Sequence, residues 1–324
     1  MSNLNPLSNT SAEQSSGPGR RTFLQGLAGT AAAALPPLMG LSAGPALAND
    51  GARRTGRIPR DNISIQMYTL RALPSIQQTL QSLAGIGFRK VEHAGFGGLT
   101  AQQFRDALRQ AGLRASSGHM AIPQPWDEKT WVKTVTDALT VGQKFIIHPA
   151  TPITYFPTDG DLGKIKGLTT VAGWQRFAAD LNRAGEIARS AGLHLGVHNH
   201  FWEFAALDDD TPRVGYDILL AETEAKFVHL EVDLYWAWFA HRDPVQLLAY
   251  AGKRIRQFHV KDMRYDDHVP TFADAGTGVI DFARIFDAAG AVDDHEYIIE
   301  RDDAGLNALT TAQVGYDYLS RIRF

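Results

Sequence analysis

Val197-His198-Asn199-His200-Phe201-Trp202-Glu203-Phe204 closes an apolar, strand-like run that begins at His194. A helical pattern over 170–192 precedes it and another over 213–223 follows. This order, a helix, a short apolar strand with a polar C-terminal end, then a helix, recurs along the chain and decides the fold. Further strand candidates lie at 63–68, 90–93, 113–118, 144–148, 227–233, 255–261 and 297–301. Helical patterns fall at about 75–86, 100–112, 127–142, 243–252, 281–289 and 307–322. Eight strand and helix pairs over 62–324, with no Rossmann-type glycine fingerprint after the first strand, argue for an α/β fold of one domain, a closed (β/α)8 TIM barrel. Gly87, Gly112 and Gly192 stand where helices must stop before strands. The longest irregular stretches, 149–169, 201–212 and 262–280, all follow strands, so they are expected to build the active face at the strands' C-terminal ends.

Composition narrows the chemistry. The 324 residues are 44% hydrophobic and 21% charged, as in a globular protein, and a net charge of −3 gives no general attraction to nucleic acid or anionic lipid. Without cysteine there are no disulfides, thiolate metal sites or cysteine nucleophiles, so any metal must be held by nitrogen and oxygen. Residues 1–48 read as an export signal: Arg20-Arg21-Thr22-Phe23-Leu24-Gln25 leads a Gly/Ala/Leu stretch that ends at Ala46-Leu47-Ala48. The paired arginines make it resemble a twin-arginine signal, which implies a periplasmic or secreted protein. Pro36, Pro37 and Pro45 interrupt the apolar run, so cleavage without stable membrane insertion is expected, followed by a flexible lead-in over 49–61.

The strand ends carry the candidate chemistry. Asp233, His259 and Glu300 occupy equivalent places at the ends of the sixth, seventh and eighth strands, a pattern suited to a divalent metal. Period-two alternation puts His198 and His200 on one side of their strand and His259 and Lys261 on one side of theirs. Lys261 is placed to put positive charge near a developing enolate. His93 and His119 are candidates for hydrogen bonds to substrate hydroxyls, while Trp202 and Trp236 are candidates to stack on the apolar face of a pyranose.

Together these residues resemble the sugar phosphate isomerase/epimerase proteins of the xylose isomerase-like TIM-barrel superfamily. The likeness rests on VHNHFWEF (197–204), LEVDLYWAW (230–238), FHVKDM (258–263), the turn Gly276-Thr277-Gly278-Val279-Ile280-Asp281-Phe282 and YIIERD (297–302). It implies one divalent cation, Mn, Mg, Co or Zn, held by acids and a histidine at the last four strand ends, with carboxylates that also move protons. Asp233, His259 and Glu300 match three positions. Where many sugar epimerases carry a glutamate inside strand five, this chain has Gly196, and the nearest acid, Glu203, is assigned as fourth ligand and catalytic group, with His198 or His200 as the alternatives for that place. Asn199 and the two histidines then face substrate, with His198 and His200 as proton-moving groups.

Such a site supports proton abstraction next to a carbonyl with a cation-stabilised enediolate. The expected activity is that of a sugar isomerase or epimerase. A lyase or hydratase acting on 3-keto sugars or keto-glycosides is the alternative, and a non-catalytic periplasmic sugar-binding protein is the third reading. The partners expected are a small-molecule carbohydrate and, at most, further copies of the chain. DNA-cleaving enzymes that share this barrel need several metals and a basic face, which an acidic exported chain lacks.

Overall fold

The computed structural model describes residues 56–158, 161–290 and 292–324, so the export signal expected at 1–48 lies outside the described residues. Eight parallel strands form one sheet: β1 (Ile63–Ile65), β2 (Lys90–His93), β3 (Arg114–His119), β4 (Phe145–His148), β5 (His194–His198), β6 (Val228–Asp233), β7 (Ile255–Val260) and, after a hairpin, β10 (Glu296–Ile299). They run in the order β1-β10-β7-β6-β5-β4-β3-β2, and a parallel bridge between Gln66 and Glu92 joins the two edges. The sheet thereby closes on itself as a TIM barrel. Helices α1 (Ile76–Ile86), α2 (Ala101–Gln110), α3 (Glu128–Val141), α4 (Val171–Ser190), α5 (Gly215–Glu222), α6 (Leu234–Phe239), α7 (Pro244–Ala251), α8 (Phe282–Ala289) and α9 (Ala308–Arg321) surround it.

Local chemistry explains most boundaries. Ser75, Asp127, Thr170 and Asp281 cap α1, α3, α4 and α8 through side-chain oxygens that accept from the first turn, and Thr100 forms a capping box with Gln103 at α2. At Gly87 the backbone turns with φ 123°, and a Cβ there would stand 2.8 Å from the Tyr316 hydroxyl, so both conformation and space call for glycine. The apolar core lies between strands and helices, where Trp131 and Trp174 are fully buried and donate to the carbonyls of Ala184 and Leu168.

Three features depart from the expectations. The stretch 262–280, read as irregular, contains a hairpin of β8 (Asp262–Asp266) and β9 (Val269–Ala273). Its turn residues Asp267 and His268 both have positive φ, 49° and 67°, a turn normally signalled by Asn-Gly or Asp-Gly. The six-residue α6 is apolar throughout and has no polar face to betray a helical period. The lead-in expected to be flexible over 49–61 is tied down from Gly56 onward: its amide donates to the Phe324 carbonyl at 2.7 Å, and Ile58 is buried.

Candidate active site

Strand alternation fills the barrel axis with polar side chains in two tiers. In the lower tier Lys90 pairs with Glu296 at 2.9 Å, Ser116 donates to the same carboxylate, and His229 lies 3.2 Å from Gln257. Gly196 belongs here. A Cβ on it would stand 2.4 Å from His229 Nε2 and 2.6 Å from Ile147 Cδ1, so no acid fits inside strand five. The space is already filled.

The upper tier lies at the C-terminal mouth. Glu92, His119, His198, Glu231, Asp233, His259, Lys261 and Glu300 come together there, each of them buried except the half-buried His119. His259 stands between two carboxylate sets: Nδ1 is 2.8 Å from Glu300 and 3.9 Å from Asp233, whereas Nε2 is 2.7 Å from Glu92 and 3.0 Å from Glu231. His198 does the same with Nδ1 3.1 Å from Glu231 and Nε2 3.8 Å from Asp233. Two quartets therefore have ligand atoms within 4.8 Å of one another, His198/Asp233/His259/Glu300 above and His119/His198/Glu231/His259 below.

Charge decides what this arrangement can hold. Glu92, Glu231, Asp233, Glu300 and Asp302 confront a single ammonium, Lys261, which lies 3.2 Å from Asp233, 2.8 Å from Glu300 and 3.0 Å from Asp302. The surplus of negative charge shows in the imidazoles. Burial lowers His119, but Glu92 and Glu231 lift it to about 9, and Glu231 and Glu300 likewise outweigh burial to lift His259. Burial raises the Asp233 carboxyl to about 6 despite the opposing pull of Lys261 and His259. Glu231 Oε2 is buried without accepting a hydrogen bond, and Asp233 Oδ2 accepts none either, though the Lys261 ammonium stands 3.2 Å away. Carboxylate oxygens so placed beside imidazoles suit a divalent cation with mixed oxygen and nitrogen ligands. The upper quartet suits it better, because its two carboxylates, against one in the lower quartet, balance a charge of +2.

The pocket has a volume of about 810 Å³, with His119, His198, His200, Lys261 and Glu300 on its floor and Trp202, Trp236, Phe201 and Phe272 among its walls. His200 stacks on Trp202 with ring centroids 4.2 Å apart, and its Nδ1 has no partner. Burial and the charge of Lys261 hold His200 well below the usual imidazole range. Trp236 Nε1 is also unpartnered. The pocket thus offers a neutral imidazole, an ammonium and an indole donor around the acidic floor.

The structure brings together Asp233, His259, Glu300, His198, Lys261 and His119, with His200, Trp202 and Trp236 around them. It does not bring Glu203 to either quartet: Oε1 accepts from Thr151 Oγ1 at 2.5 Å, and Oε2 accepts from the His200 amide at 2.9 Å. His198 is the fourth member of the upper quartet, and Glu203 anchors the turn that carries His200. His93 points away from the axis, 2.6 Å from Gln143 and packed on Phe104, because alternation within β2 sends Glu92 inward and His93 outward. Asn199 exchanges hydrogen bonds with the backbone of Asp233 at 3.1 and 3.4 Å, which fastens β5 to β6 instead of facing the pocket. The Asp233 side chain both caps α6, with Oδ1 accepting from the Trp236 amide at 2.8 Å, and turns Oδ2 to the cluster. Glu92, Glu231 and Asp302 were missing from the sequence assignment. The alternation that pairs His198 with His200 equally pairs Glu231 with Asp233, which is the signal for Glu231, whereas which of Glu92 and His93 faces inward is set by the register between strands.

Residues 80–322 match the family described as xylose isomerase-like TIM barrel. Among curated relatives, the inosose dehydratase of Bacillus velezensis is 27% identical over 179 residues, which cover 50% of this chain and 58% of the relative. The chain thus spans under two thirds of that relative's length. A sugar phosphate isomerase/epimerase from Parabacteroides distasonis superposes with a TM-score of 0.64 at 23% identity, covering 80% of this chain and 93% of that one. A xylose isomerase-like TIM barrel protein from Mycobacterium smegmatis, in complex with magnesium, superposes at 0.59 and 16% identity over 80% and 95% of the two chains. These two likenesses concern the fold.

Proposed function

The chain belongs to the xylose isomerase-like TIM barrel family, and from that premise we propose that it is a divalent-metal-dependent enzyme that removes a proton next to the carbonyl of a sugar or cyclitol ketone. The observation that carries this reading is the upper quartet, His198, Asp233, His259 and Glu300, at the floor of a pocket that also presents Lys261 and His200. A cation held by that quartet would supply Lewis acidity toward the carbonyl and a neighbouring hydroxyl oxygen.

The protein's own groups divide the remaining work. His200, kept neutral by burial, is the acceptor of the carbon-bound proton, and its stack on Trp202 together with the Glu203 carboxylate on its amide fixes where the ring stands. Lys261 Nζ, locked among three carboxylates, keeps its charge close to oxygen that becomes negative as the proton leaves. Trp202 and Trp236 shield the reacting face from water and offer the apolar side of a ring a surface. Loss of a β-hydroxyl as water takes a second proton, and the His119 imidazole, kept protonated by Glu92 and Glu231, lines the pocket to give it. That outcome, dehydration, draws support from the inosose dehydratases among the relatives. Epimerisation or isomerisation, the outcome favoured by the sequence motifs, shares the first step. Export by the twin-arginine route belongs to the same proposal.

The test is incubation of metal-reconstituted protein with an inosose, and with 3-keto-glucose, in D₂O. An unsaturated product marks dehydration, and deuterium in recovered sugar without loss of water marks epimerisation or isomerisation. Neither product nor exchange, from protein carrying one metal per chain, would refute the reading.

A further inference from the structure

The pocket above the quartet does not end at its rim. On the side of β1 and β2 it continues into a second cleft of about 710 Å³, and Tyr68, Arg71, Ala94 and Gly95 line both cavities. Pockets for drug-sized ligands run from roughly 300 to 1,000 Å³, so either cavity alone accommodates a monocyclic sugar. A monosaccharide over the quartet would leave the cleft unused.

The threshold between the two cavities is built. Arg71 donates from Nη1 to the Tyr68 carbonyl at 2.8 Å and from Nη2 to the Asp302 carbonyl at 2.7 Å, and its guanidinium lies 3.8 Å from the centroid of the Tyr68 ring. Asp302 in turn holds Lys261 at 3.0 Å, so this guanidinium is linked by a short chain of contacts to the quartet. Two of its five N–H donors are spent on fixed carbonyls, and the rest are held at the junction with little side-chain freedom left to lose. On the far side, Leu73, Pro74 and Ile76 form an apolar shelf, while Ser75 and Gln77 add polar groups. Tyr68 is 43% exposed, an aromatic platform beside that shelf. Aromatic and aliphatic surface interleaved with hydrogen-bonding groups matches the two characters of a pyranose ring.

We propose that the cleft is a second sugar subsite, so that the substrate is a glycoside of two rings, with the keto ring over the quartet, the second pyranose against Tyr68 and the shelf, and Arg71 donating to the oxygen that links them. The proposal rests on the sugar-ketone reading of the main pocket, yet its test reads affinity and needs no turnover. The full-length, metal-loaded protein is titrated with methyl β-glucoside, cellobiose and phenyl β-glucoside, by calorimetry or ligand-observed NMR. Cellobiose is expected to bind at least tenfold more tightly than methyl β-glucoside. Gln77→Trp, a substitution at an exposed position that lines the second cleft alone and fills it, removes that advantage and leaves the methyl glucoside constant within twofold, and Tyr68→Ala reduces the advantage several-fold.

Equal affinities for one and two rings overturn the subsite, as does Gln77→Trp weakening both probes alike. Tighter binding of phenyl β-glucoside than of cellobiose overturns the second pyranose in favour of an aromatic aglycone. Absence of binding by all three overturns it outright. Deuterium exchange in a keto sugar tests the parent reading separately: exchange without a two-ring advantage removes only the subsite, and a two-ring advantage without exchange removes only the chemistry.

Discussion

Replacing Glu92 by Gln is expected to weaken metal binding although Glu92 is not in the upper quartet. Its carboxylate lies 2.7 Å from His259 Nε2 and 3.3 Å from His119 Nε2, and it accepts from Gln66 Nε2 at 2.8 Å and from Ser117 Oγ. Burial pushes this carboxyl up, but His119 and His259 outweigh it and hold it well below the ordinary value. A carboxylate only accepts, so both nitrogens of the charged His259 ring donate, Nε2 to Glu92 and Nδ1 to Glu300; a cation bound at the quartet would displace the Nδ1 proton and leave the Nε2 proton on Glu92. Glutamine keeps the shape and removes the charge that sets this tautomer and raises the basicity of Nδ1. Loss of such a partner typically costs 10- to 100-fold in metal affinity, which corresponds to about 1.4–2.8 kcal/mol. The assay is competition of the apoprotein with a chromophoric chelator for Zn²⁺ and Mn²⁺, with ¹⁵N NMR of the His259 ring as a second readout. Ser117→Ala, which keeps the charge, should cost no more than a few-fold. An affinity for Glu92→Gln within twofold of the unaltered protein, with the His259 tautomer unchanged, would refute the reasoning.

Other perturbations follow from the same geometry. Glu300→Gln and Asp233→Asn should each lower bound metal from one per chain to a small fraction, measured by elemental analysis after dialysis; full occupancy in either would exclude the upper quartet. Burial raises the Glu203 carboxyl from its ordinary 4.5 to about 7. The native chain therefore keeps a proton that the unfolded chain has released, and stability should fall as pH climbs from about 4.5 to about 7, by roughly 3 kcal/mol at most. Urea unfolding of Glu203→Gln should show that slope flattened, and its metal content should stay at one per chain; loss of the metal would restore Glu203 as a ligand. In the lower tier, Glu296→Ala leaves the Lys90 ammonium buried without its partner and should cost about 3–5 kcal/mol. The double change Lys90→Met with Glu296→Leu should recover most of that loss in the same denaturation experiment.

Much of the barrel was legible because its signals are local. Capping side chains at 75, 100, 127, 170 and 281 and a positive-φ glycine at 87 mark helix ends by backbone chemistry that needs no distant partner. Strand β2 falls on the expected residues Lys90–His93, and the others differ by one to three residues at one or both ends. The hairpin β8–β9 and helix α6 escaped because an Asp-His turn and an all-apolar helix lack the usual marks. In the site, Asp233, His259 and Glu300 were legible as strand ends, whereas Glu92 and Glu231 were not singled out, and Glu203, assigned as fourth ligand ahead of His198 and His200, is held by Thr151 and the His200 amide.

The reason lies in what alternation can and cannot say. A period of two determined from the sequence alone which side chains share a face of each strand, and hence that acids and imidazoles would cluster at one end of a barrel. Which face is inward depends on the register between strands, such as Asp233 beside His259 and His198 beside Glu231, and that is settled only when the sheet closes. Space is settled at the same moment. His229 occupies the volume beside Gly196, Thr151 claims Glu203, and the two nitrogens of His259 are divided between carboxylates 41 and 167 residues away in the chain. Those separations have no local signal. The chain thus carried the inventory of the site in its sequence, and tertiary packing assigned each member its neighbour.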